Sequence, residues 1–149
     1  MSPELIEQAA REVLQTTAGT PVLGASRGRR PQGHFDGVMA TISLSGSRGG
    51  TLILYCDRPL ANRVTSAILR LDDEEPGDET VIDAMGEIAN QVGGTLKRKL
   101  GASGAEMMLS VPVVAAAAPI THSVKSTHDP VCIDVHLETG SLCLCLWPA

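Results

Sequence analysis

Two pairs of alternating runs, each pair joined by a short turn, constrain the fold of this chain more than any other feature. FDGVMATISLS at residues 35–45 alternates apolar with small or polar side chains, GSRGG follows, and TLILYC at 51–56 resumes the pattern. VCIDVHL and SLCLCLW repeat the arrangement near the end of the chain, joined by Glu138-Thr139-Gly140. A period of two puts alternate side chains on opposite faces of a sheet, and a glycine-containing turn of a few residues returns the chain antiparallel. The spacing therefore predicts two hairpins.

Helical periodicity fills the intervals. Ser2-Pro3-Glu4 is a helix entry, with an N-cap hydroxyl, proline at the first position and an acid facing the helix's positive end. Ile6, Ala9, Ala10, Val13 and Leu14 recur at helical spacing up to Ala18-Gly19, which predicts a helix from about residue 3 to 17. Pro21 to Ala25 reads as a short strand and SRGRRPQG as a solvated loop. Asp57-Arg58-Pro59 opens a second helix carrying Leu60, Val64, Ile68 and Leu71 on one face. The acidic stretch DDEEPGDE at 72–79 is a connector, and a third helix runs from about residue 79 to 100. After a glycine-containing break, Met107 to Ala117 is apolar and extended. Hairpins with helices between them predict a single α+β domain over residues 1–149, a mostly antiparallel sheet with amphipathic helices packed on one face.

Composition narrows the function. With 43% apolar and 19% charged residues, the chain has a globular balance. A net charge of -5 argues against a nucleic-acid binder, which needs a basic field. Phe35, Tyr55 and Trp147 are its only aromatic residues, so the core must be aliphatic and stacking platforms for bases or sugars are not expected. No run approaches the roughly 20 apolar residues of a membrane span, and the acidic, amphipathic start does not read as a signal peptide. A cytoplasmic setting is therefore expected, with Cys56, Cys132, Cys143 and Cys145 as reduced, buried thiols. They form no zinc-site spacing with His34, His122, His128 or His136, and neither a nucleophile elbow nor a phosphate-binding loop is present.

The third helix is different. In DAMGEIANQVGG, residues 83–94, Ile82, Met85, Ala89, Val92, Leu96 and Leu100 project onto one stripe that must face the sheet. Asp83, Glu87, Asn90 and Gly94 fall on another, turned by roughly 140°. Acids early and Lys97, Arg98 and Lys99 late complement the helix dipole, which accounts for the order of charges. It does not account for an exposed amide or for two interior glycines, each costing about 1 kcal/mol against alanine. The residues alone leave a solvated face and a functional ridge both open. Aligning Gly19 with Gly94 sets Glu12 against Glu87 and Gln15 against Asn90, an internal duplication or a chance match of two amphipathic helices.

D-x-x-x-E-x-x-N on a helix, followed 22 positions after the asparagine by Pro112, resembles the signature of the CheC/CheX/FliY phosphatases of bacterial chemotaxis. LSGSRGGTLILYC and LSVPVV are similar to CheX-like domains in particular. The resemblance implies hydrolysis of the phospho-aspartate of a CheY-like response regulator. Asn90 would enter the regulator's active site and orient the attacking water, since an amide donates and accepts hydrogen bonds without repelling phosphoryl oxygens. Glu87 would pair with the regulator's lysine, Asp83 would be accessory to docking, and Gly94 would leave room for the partner's loops. The Mg2+ would sit on the regulator, with no cofactor bound by this chain. Pro112 would shape the entry to the next strand. Because the first helix has Gln15 where an asparagine would stand, the resemblance implies one active site per chain. It also implies a homodimer paired through sheet edges, with the apolar last hairpin as the candidate edge. The alternative is a non-catalytic module of the same fold that docks on a regulator or another signalling protein.

Overall fold

The computed structural model describes residues 1–31, 34–72, 75–102, 106–116, 120–121, 126 and 128–149. The middle of the acidic connector, positions 103–105 of the glycine-containing break, the end of the extended stretch at 117 and His122 lie outside them. The elements are α1 (Pro3–Thr17), β1 (Gly24–Arg27), β2 (His34–Phe35), β3 (Val38–Ser45), β4 (Gly50–Cys56), α2 (Arg58–Leu69) and α3 (Asp78–Lys99), then β5 (Met108–Leu109), β6 (Val113–Ala115), β7 (Ile120–Thr121), β8 (Val131–Leu137) and β9 (Gly140–Pro148).

The main sheet runs β1-β8-β9-β4-β3, with β5 and β6 in succession along the outer edge of β3, and every pairing is antiparallel. A separate two-stranded piece joins β2 to β7. The predicted strand at 35–45 is thus two strands. Gly37 separates them with φ +151, and a Cβ there would lie 2.4 Å from the Cys56 carbonyl oxygen, so only glycine fits the bend. The strand expected at Pro21 to Ala25 lies slightly later, at Gly24–Arg27.

Alternation sorts the side chains as the pattern requires. Val38, Ala40, Ile42 and Leu44 of β3, Leu52 and Leu54 of β4, Ile133 and Val135 of β8 and Leu142, Leu144 and Leu146 of β9 join the helices in one aliphatic core. The opposite face carries a smaller cluster of Ile53, Tyr55, Cys132, Cys145 and Trp147, against which Phe35, Met39 and Cys143 pack. All three aromatic residues are here, and the Phe35 and Tyr55 rings meet edge to face at 5.4 Å. The main core holds none of them.

Two expectations are corrected by the register and the order of the strands. Cys132 and Cys145 stand directly opposite one another on β8 and β9 and form a disulfide, whereas Cys56 and Cys143 remain free. No sequence spacing marks that pair, because strand pairing alone brings the two residues together. The last hairpin lies between β1 and β4 inside the sheet, so it presents no free edge. Among the described residues, the free edges are β1 and the β5–β6 side.

Each helix start has its own anchor. The Ser2 hydroxyl accepts from the Leu5 amide at 3.3 Å, and the Asp57 carboxylate accepts from the Leu60 amide at 2.8 Å. Gly77 precedes α3 without a side-chain cap. Arg58 of α2 fastens this start from outside without capping its amides, donating to Asp78 Oδ1 at 2.7 Å and to the Pro76 carbonyl at 3.2 Å. On α2, Leu60 and Val64 are buried and Ile68 partly so, but Leu71 lies beyond the helix end and is exposed.

Candidate functional site

α3 is packed on several sides: α1, α2 and strands β3, β4, β5 and β6 all contact it. Its buried arc is consequently wider than a single stripe and includes Val81, Ala84, Ile88 and Thr95 as well as Met85, Ala89, Val92 and Leu96. Ile82 and Leu100, expected to face the sheet, are half-buried at the margins of that arc. The ridge left over is narrow. Asp83 and Glu87 are exposed on it, and Asn90 and Gly94 are half-buried further along.

The glycines divide by their surroundings. A Cβ on Gly93 would come within 3.3 Å of Ile42 Cγ2, so this glycine lets α3 lie close to β3. A Cβ on Gly94 would meet only Leu109 Cδ1, at 3.9 Å, so the bare spot there is not required by packing within the chain. Gly86, which the sequence reading passed over, is a second close approach on α3. A Cβ on it would lie 3.2 Å from Val114 Cγ2 and 3.7 Å from Pro112 Cγ. Pro112 therefore precedes β6, as expected of a strand entry, and its ring also backs α3 one residue before Glu87.

Two neighbouring amides have different fates. Among the described residues, Asn90 has no hydrogen-bond partner within the chain, leaving its donor and acceptor available. Gln91 is engaged at both ends: its Nε2 donates to Glu87 Oε1 at 2.8 Å and its Oε1 accepts from the Thr17 hydroxyl at the end of α1. Beside Asn90 lies a groove of about 400 Å³ between α1 and α3, bordered by Glu12, Thr16, Gly94, Arg98 and Leu109.

Glu12, which falls opposite Glu87 when Gly19 is aligned with Gly94, is not free in this way. Its carboxylate pairs with Arg98 at 2.5 Å and Lys99 at 3.3 Å, and these cations, Lys99 foremost, hold it below the ordinary glutamate pKa. It ties α1 to the end of α3. Gln15 is exposed one turn further on. Arg27 at the end of β1 and Arg29 and Arg30 just after it line a different groove of about 910 Å³ with Glu4, Glu7 and Asp129, and it shares no lining residue with the ridge. No group of three or more His, Cys, Asp or Glu side chains among the described residues is placed to hold a metal ion.

The sequence model of the family described as chemotaxis phosphatase CheX matches residues 38–136, which is more than half of the chain and includes the whole ridge and Pro112. The chain belongs to the CheX family. Solved CheX structures share its fold throughout. CheX from Vibrio vulnificus superposes with a TM-score of 0.80 at 23% identity, covering 99% of this chain and 95% of that one. CheX from Borrelia burgdorferi, solved as a CheX–CheY–BeF3–Mg2+ complex, gives 0.80 at 21% identity, covering 97% and 96%. A CheC-like superfamily protein from Shewanella sp. PV-4 gives 0.77 at 21%, covering 98% and 99%. No curated protein matches the sequence. The α+β architecture expected from the hairpins is therefore the CheC/CheX fold. In this CheX-family chain the sequence pattern located Asp83, Glu87, Asn90 and Gly94 on one ridge, and it missed Gln91 and Gly86. Gln91 follows Glu87 by four residues, the helical spacing at which side chains meet, and that was the available signal.

Proposed function

We propose that this chain hydrolyses the phospho-aspartate of a CheY-like response regulator. The observation that carries the reading is the contrast on α3: an uncommitted amide at Asn90 stands one turn from an exposed carboxylate at Glu87, on a helix held by neighbours on several sides. In the reaction a water oxygen attacks phosphorus in line with the aspartyl oxygen. The P–O bond to the aspartate breaks, the carboxylate leaves, and the water's proton departs with inorganic phosphate. An acyl phosphate is already reactive, so placing the water supplies most of what is needed. Asn90 orients that water. Glu87 pairs with a lysine of the regulator and sets the register of docking, Asp83 adds to the acidic side of the contact, and Gly94 leaves space for the regulator's loops.

Mg2+ belongs to the regulator on this reading. Asp83 and Glu87 are the exposed carboxylates of the ridge, and on this reading both serve docking. The chain acts in the cytoplasm as a homodimer paired along a free sheet edge, and none of its described helices is long and apolar enough to cross a membrane. The family description as a phosphatase and the Borrelia relative's complex with CheY support the reading.

The test follows phosphate loss from response regulators of the same organism, charged with acetyl phosphate, with and without the protein. Acceleration that falls by roughly two orders of magnitude in Asn90→Ala, while regulator binding persists, is the expected result. Binding with no acceleration, indifferent to Asn90→Ala, would make the chain a docking module. Absence of binding to every regulator would defeat both readings.

A further inference from the structure

Resting on the phosphatase reading, we infer that Gln91 is a positioning residue for Glu87 and that Thr17, on a different helix, sets the orientation of Gln91. A carboxylate can only accept hydrogen bonds, so the Gln91 amide must turn its NH2 group toward Glu87. Its oxygen then faces Thr17, whose hydroxyl must donate. The relay has one polarity: Thr17 donates to Gln91, and Gln91 donates to Glu87.

Its consequences lie in what it fixes and what it leaves. An exposed glutamate on a helix ridge samples several rotamers, and ordering it on docking would work against binding. Gln91 engages Oε1 of Glu87 before the partner arrives, and no bond within the chain engages Oε2 among the described residues. The free oxygen is available to an incoming ammonium group. The choice of a neutral amide matters as well. A lysine at 91 would form an ion pair with Glu87 at the same four-residue spacing and compete with the partner's lysine for the carboxylate. That state exists elsewhere in the molecule: Glu12, paired with Arg98 and Lys99, has its carboxylate occupied. Glu12 and Glu87 occupy aligned positions, and the groups facing them separate a structural carboxylate from one available for docking.

Thr17 closes α1, so the relay also binds the pose of Glu87 to the packing of α1 on α3. The predicted role is in docking and not in chemistry. Gln91→Met keeps the length of the side chain without the hydrogen bonds, and Thr17→Val keeps the shape of threonine without the hydroxyl.

The experiment measures KM and kcat for the charged regulator that the wild type dephosphorylates. Gln91→Met should raise KM roughly fivefold, the size of a lost surface hydrogen bond to a charged group, with kcat nearly unchanged. Thr17→Val should raise it less, Thr17→Ser should restore it, and Gln91→Lys should raise it most. In a Glu87→Ala background, Gln91→Met should add nothing, because the residue acts through Glu87. A fall in kcat at constant KM, or a full additive effect in that background, would overturn the inference. The side-chain NH2 resonances of Gln91 give a readout independent of turnover: they should shift in Glu87→Ala and in Thr17→Val, and failure to move in either variant would show that the relay does not form. An inactive wild type would sink the phosphatase reading and this role with it, and is told apart from failure of the relay alone because there the wild type stays active.

Discussion

Asn90 and Gln91 carry the same functional group one residue apart, and the helix gives them opposite circumstances. Gln91 is turned toward α1 and spends both ends of its amide there and on Glu87, whereas Asn90 keeps both free among the described residues. The same principle separates the paired glycines. Gly93 is pressed on Ile42 of β3, which is fully buried and has little room to give, while Gly94 faces open space near Leu109. Gly94→Ala should therefore stabilise the protein by about 0.5–1 kcal/mol through helix propensity, and Gly93→Ala should destabilise it by about 1 kcal/mol through overpacking. Urea denaturation of the two variants checks both signs at once. If Gly94 serves docking, Gly94→Trp should lose regulator binding while unfolding near the wild-type midpoint. An equal loss of stability in both alanine variants would remove the distinction drawn between the two positions.

At the scale of elements, the site depends on how α3 is held. Arg58 fastens its uncapped start, Pro112 and Val114 back Gly86, and Glu12 grips its last turn through Arg98 and Lys99. The Glu12 pairing has a definite pH dependence. Its carboxyl is depressed in the folded state, chiefly by Lys99, so its stabilisation is present above the unfolded value and is lost as pH falls through the lower folded value. Glu12→Gln should lower the Tm slightly at neutral pH, and that difference should shrink to nothing as the pH falls well below the ordinary value of 4.5. A difference that persisted in strong acid would mean that the ion pair is not its source. Because the pair is exposed and screened, high salt should shrink the difference too.

For the molecule as a whole, the decisive feature is which strands end the sheet. Burying the last hairpin between β1 and β4 leaves the β5–β6 side as an edge on which Met108, Val111 and Val113 are 72%, 83% and 70% exposed. Apolar side chains along an unpaired edge favour pairing with another strand. If the chain forms the proposed homodimer along this edge, Val113→Arg should convert it to a monomer in light scattering without altering its circular dichroism. Leu23, 68% exposed just before β1, supplies the contrast. Dissociation by Leu23→Arg and not by Val113→Arg would move the interface to the opposite edge.

The sequence by itself determined the hairpins, the three helices, the aliphatic makeup of the main core and the alignment of Asp83, Glu87, Asn90 and Gly94. These follow from local periodicity, which a backbone with a period of two or 3.6 residues converts directly into faces. Only tertiary structure decided the rest. Opposition of Cys132 to Cys145 depends on strand register, and the loss of the last hairpin as an edge depends on strand order. The occupation of Glu12, the release of Glu87's second oxygen and the commitment of Gln91 depend on how α1 lies against α3. Apart from the four-residue step from Glu87 to Gln91, each of these joins residues of different elements, and no local pattern records which side chain across the fold a carboxylate, a thiol or an amide will meet.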